Sequence, residues 1–106
     1  MNRKEYPIYS GLIKYFPNAI KEIAHVSYKG NEQHNPGEPL HWAKEKSTDE
    51  PDALMRHLTD HASGVVYDTD GLRHLSKVAW RALALLEREL EKESDHCKAC
   101  GADKPK

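Results

Sequence analysis

A chain of 106 residues, 38% of them hydrophobic, fits one domain with a small core that association with other copies would help to stabilise. Sixteen Lys and Arg against seventeen Asp and Glu leave a net charge of -1, which argues against nucleic-acid or membrane-surface binding, since both favour a basic chain. No run approaches the length of a membrane span, and the N-terminal MNRKEYPIYSG lacks the apolar stretch of a signal peptide, so the chain reads as cytoplasmic.

Residues 1–16 read as an extended arm with Gly11 as a turn. Pro17 suits the first position of a helix, and Ile20, Ile23, Ala24 and Ser27 continue it at three- and four-residue spacing. Gly30 is the expected stop, which predicts a first helix over 17–29. Residues 30–51 are polar and broken by Pro36, Pro39 and Pro51, and they predict a long ordered loop carrying His34, His41 and Trp42. A second helix is predicted over 52–62, with Leu54, Leu58 and Ala62 as its apolar row and Gly64 as its end. Val65, Val66 and Tyr67 favour extended backbone but are too few for a sheet. Asp68 and Asp70 offer capping side chains to a third helix over 70–92. Its apolar row is Leu72, Leu75, Ala79, Ala82, Leu86 and Leu90. Residues 93–106 read as a flexible tail. The expectation is an all-α domain over 17–92, associating as a dimer.

Seven histidines raise the prospect of a metal or phosphate site. On a helical wheel His74, Lys77 and Arg81 share one face, and three such donors in line would clamp a phosphate. The competing reading is a solvated face. On the second helix His57 and Asp60 are three apart, and His57 and His61 are four apart, a spacing that chelates metal. A histidine beside an apolar row is nevertheless more often a packing residue. Asp68 and Asp70 would cap the third helix, or hold Mg²⁺, which prefers oxygen ligands. Trp42 and Trp80 would anchor by burial or stack on a base. Cys97 and Cys100 form a lone C-x-x-C after His96, half of a zinc site, and a free reduced pair is the commoner state of such a motif.

Four segments together carry a resemblance: the run from Gly30 to Trp42, Arg56-His57-Leu58, Asp70-Gly71-Leu72-Arg73-His74, and the run from Lys77 to Leu86. In order and content they resemble the small phage and prophage proteins named for the N-terminal domain of dATP/dGTP diphosphohydrolases, over roughly residues 17–91. The resemblance implies a helical oligomer that cleaves a purine deoxynucleoside triphosphate to monophosphate and pyrophosphate. It implies Mg²⁺ or Mn²⁺ on the phosphates, with Asp60, Asp68 and Asp70 as metal positions and His57 or His74 as the general base. It makes Lys77, Arg81 and Arg56 phosphate contacts, and Asn31, His34 and Trp42 nucleotide contacts. All-α pyrophosphatases of the better-known kind carry a Glu-Glu-x-x-Glu run that is missing here. That departure keeps open a second reading, a binding protein that sequesters a nucleotide without turnover. A third is a partner-binding helical protein whose C-x-x-C tails pair across subunits.

Overall fold

The computed structural model describes residues 2–44 and 48–100, with side chains up to residue 94. The architecture is all-helical. Three helices dominate: α1 (Pro17–His34), α2 (Glu50–Ala62) and α3 (His74–Cys100). Among the described residues there is no strand, and extended pairing is confined to one antiparallel bridge between Tyr67 and Arg73. No described helix is long and apolar enough to cross a membrane. The chain divides into two compact units, Met1–Lys44 and Glu45–Lys106.

In the first unit the arm is not extended. It holds a 3-10 turn at Arg3–Glu5 and a π-helical turn at Tyr9–Ile13. Gly11 sits inside the second turn, where a Cβ would come within 3.1 Å of the Pro7 ring. Pro17 opens α1 as expected. Gly30 does not end it, because one glycine costs a helix only about 1 kcal/mol. The helix stops at Asn35 instead, which precedes Pro36 and has φ -136 and ψ 57.

The second unit is a hairpin of α2 and α3. Gly64, at φ 93, ends α2 by donating its N–H to the His61 carbonyl, while the Val65 N–H reaches back to Asp60. α3 begins four residues later than its periodicity suggests, because residues 66–74 fold back on themselves first. It also runs on to Cys100 in place of a flexible tail from residue 93. Residues 91–99 carry good helix formers and no Gly or Pro. Residues 101–106 lie outside the described residues.

The largest departure is which faces meet. Ala53 and Ala84 are buried, and their small side chains let α2 and α3 approach closely. Around them the seam is polar: Glu50, His74 and Ser76 are buried, and His57, Lys77 and Arg81 are half-buried. The expected apolar rows point elsewhere. Leu58 and Ala62 on α2, and Leu75, Ala82, Leu86 and Leu90 on α3, are exposed. Leu72 is buried, but it lies in the connection before α3. Leu54 and Ala79 are half-buried.

Candidate functional site

The connection between α2 and α3 is a tight loop held by its own backbone. Asp68 donates its N–H to Leu72 O at 2.8 Å, Gly71 donates to Asp68 O at 3.0 Å, and His74 donates to Val66 O at 2.9 Å. Gly71 takes φ 86, a conformation L side chains rarely adopt. Asp70 Oδ1 accepts the Leu72 N–H at 3.1 Å, and Asp68 Oδ1 accepts the Thr69 N–H at 2.7 Å. Each aspartate thus spends one oxygen within the loop. Buried Leu72 pins the loop to the hairpin. The second oxygens converge on Lys77, one turn into α3. Lys77 Nζ donates to Asp68 Oδ2 at 2.6 Å and to Asp70 Oδ2 at 2.7 Å.

Beside this pair two imidazoles meet. His57 Nδ1 on α2 and His74 Nδ1 on α3 are 2.9 Å apart, with ring centroids at 5.1 Å and planes inclined by 35°. One ring can donate a proton to the other only if their tautomers differ. Asp68 Oδ2 lies 4.0 Å from His57 Nδ1, and donor atoms of His57, Asp68 and His74 all fall within 4.8 Å of one another. On the opposite edge of the His74 ring, Nε2 is 3.9 Å from Asp60 Oδ2. His74 is only 3% exposed, so its orientation is set by packing.

Electrostatics follows from these distances. The Lys77 hydrogen bond holds the Asp68 carboxyl down at about 2 against the opposing effect of burial, with help from the Thr69 N–H. Burial alone would lower the Lys77 ammonium, but the hydrogen bonds to Asp68 and Asp70 outweigh it and raise Lys77. Burial, then the Lys77 charge, pushes His57 below the ordinary imidazole value, which favours the neutral ring.

A second polar knot lies further along the seam. Glu50, 2% exposed, accepts from Arg81 Nη1 at 3.2 Å and from Arg88 Nη1 at 2.8 Å. Neither Glu50 nor Arg88 stood out in the sequence. The available signal was the seven-residue spacing of Arg81 and Arg88, which places both on one helix face.

The residues singled out by sequence therefore separate into groups. His57, His74, Asp68, Asp70 and Lys77 come together. Asp60 lies beyond His74, outside the three-donor group, and His57 meets His74 rather than His61. His74, Lys77 and Arg81 do share a face, but it turns toward α2 and carboxylates answer its charges. Arg81 also lies over the Trp80 ring, 5.6 Å from its centroid. Arg56 is exposed on α2 and contributes to lowering His57.

Asn31, His34 and Trp42 belong to the first unit. Asn31 holds the loop after α1. Its Nδ2 donates to Glu38 O at 2.9 Å, and its Oδ1 accepts from the His41 N–H and from Asn35 Nδ2, each at 3.3 Å. His34 is the exposed last residue of α1. Trp42 is half-buried, with Lys44 Nζ 5.1 Å from its ring centroid. The side chains of His96, Cys97 and Cys100 lie outside the described residues, and with them the zinc expectation for the tail.

The donor chemistry of the hairpin suits a divalent ion. Two imidazole nitrogens and a carboxylate oxygen lie within 4.8 Å of one another, a donor set a divalent ion can use. An all-helical hairpin with its ionisable groups gathered in the seam and its leucines outside is the class that fold and site define. Within that class the chain belongs to the family of the dATP/dGTP diphosphohydrolase N-terminal domain, whose model matches residues 2–97. No curated protein and no solved structure matches it.

Proposed function

We propose that this protein binds a purine deoxynucleoside triphosphate at the α2–α3 seam and hydrolyses it to the monophosphate and pyrophosphate. The observation that carries the reading is the convergence of His57, His74, Asp68 and Lys77 in a member of this family. A divalent metal, expected as Mg²⁺ or Mn²⁺, would be held at His57, His74 and Asp68 and would supply positive charge to the phosphates and an acidified water. Lys77 would exchange one aspartate partner for a phosphate oxygen, and Arg56, exposed and next to His57 in sequence, would offer a second cation. The attacking water, acidified by the metal, would release its proton to solvent, since both imidazoles are engaged as ligands.

The test is incubation with dGTP and dATP plus Mg²⁺ or Mn²⁺, with products separated by ion exchange. Monophosphate with pyrophosphate supports the reading, and intact triphosphate rejects turnover. The second reading, sequestration without turnover, is favoured by one observation: Lys77 already engages both Asp68 and Asp70, which leaves few free carboxylate oxygens for catalytic metals. Co-purifying nucleotide would support it.

The protein is further proposed to act in the cytoplasm as a homodimer. Leu75, Ala79, Ala82, Leu86 and Leu90 step by four, three, four and four, the spacing of a helix–helix seam. Four of these five are exposed on a row about 22 Å long. The natural occupant of such a row is the same row of a second copy.

A further inference from the structure

We propose that His57 Nδ1, His74 Nδ1 and an Asp68 oxygen form a two-histidine, one-carboxylate site for a transition-metal dication of the zinc or iron(II) class, in preference to Mg²⁺. The inference deepens the nucleotide reading by naming the metal of that same site, but its test uses no nucleotide.

Three observations carry it. First, the two Nδ1 atoms are 2.9 Å apart, within about half an ångström of the ~3.4 Å between two ligands of a tetrahedral ion bound at about 2.1 Å. Second, the aspartate oxygen completes a set in which all donors lie within 4.8 Å, so small side-chain adjustments bring them onto one ion. Third, His74 is buried and its far nitrogen lies 3.9 Å from an Asp60 oxygen. With a metal on Nδ1 the His74 proton would sit on Nε2, where a small movement of the Asp60 side chain would let it accept. That arrangement gives Asp60 a positioning role in place of ligation.

The donor set also decides the class of ion. Mg²⁺ demands oxygen ligands and releases its water reluctantly, whereas imidazole nitrogen suits zinc and iron(II). Lys77 Nζ already engages Asp68 Oδ2 and Asp70 Oδ2, so a carboxylate shared with Lys77 can add one oxygen beside the two imidazoles but not the several oxygens Mg²⁺ needs. Three protein ligands leave positions open on the ion for water or a phosphate oxygen.

The test uses the full chain with Cys97→Ser and Cys100→Ser, so that the tail cannot contribute thiolates. Zn²⁺ and Co²⁺ are titrated by calorimetry, Co²⁺ also by its visible absorption, each with and without excess Mg²⁺. The expected result is one ion per chain, not displaced by Mg²⁺, and lost in His57→Gln. Asp60→Asn is expected to weaken affinity by about 10–100-fold while leaving the stoichiometry at one. Circular dichroism checks that each variant is folded, and Asp68→Asn replaces His57→Gln if that variant is not. Absence of Zn²⁺ and Co²⁺ binding in the serine background overturns the proposal. So does binding indifferent to His57→Gln, or equal competition by Mg²⁺. A chain that binds zinc yet leaves dGTP intact would refute the hydrolase reading alone.

Discussion

Lys77 Nζ sits 2.6 Å from Asp68 Oδ2, and that ion pair ties the loop between α2 and α3 to the first turn of α3. It is under a quarter exposed on either side, so it is screened less than a surface pair. Asp68 has its carboxyl depressed from 3.8 to about 2. A depressed carboxyl contributes stability that is fully present above its unfolded value and is lost as pH falls through the folded one. Urea unfolding midpoints should therefore drop between about pH 4 and pH 2, and Asp68→Asn should flatten that slope. Equal slopes in the two proteins would show that the pair adds nothing to stability.

The same pair has an alkaline limb. Lys77 is raised above 10.5, so its contribution is present at neutral pH and declines only above that value. Lys77→Ala should lower stability at pH 7 and weaken dGTP binding. Unchanged nucleotide affinity in this variant would remove Lys77 from the phosphate contacts.

Glu50 and its two arginines predict an asymmetry. The carboxylate is buried while the guanidiniums are partly exposed. Arg81→Ala with Arg88→Ala leaves a buried charge without those two partners, a situation that costs about 3–5 kcal/mol. Glu50→Ala frees guanidiniums that water can reach and should cost less. Denaturant unfolding of both variants checks the order, and a larger loss from Glu50→Ala would contradict it.

Gly64→Ala should destabilise by about 1–2 kcal/mol, the cost of a left-handed residue with a side chain. Nothing lies within 4 Å of the added methyl, so the effect is conformational rather than steric. A neutral substitution would mean that the end of α2 rearranges without loss.

Leu86→Glu places a charge in the middle of the exposed leucine row and should convert a dimer into a monomer by sedimentation equilibrium. A monomeric parent protein would refute the association itself.

Local chemistry was legible in the sequence because it depends on short spans. Pro17 opens α1 and Gly64 closes α2, since a fixed φ and a positive φ are properties of single residues. The helical periodicity of residues 74–92 is equally local, and the all-α class follows from it. The resemblance in the runs around His57, Asp70, His74 and Lys77 identified the family that residues 2–97 match.

Which side of each helix faces its neighbour was not a local property. Sequence alone placed the leucines inward, because burial of apolar surface is the usual driving force. In the hairpin, Ala53 and Ala84 set a close approach, and Glu50 with its arginines and Lys77 with its aspartates neutralise a polar seam. The leucines are left outside. His57 and His74 are seventeen residues apart, and nothing in that separation fixes a contact between two ring nitrogens. Only the packing of α2 on α3, with the Gly71 turn between them, decides it. The sequence determined the helices and the family, and the tertiary structure decided which of their ionisable groups meet.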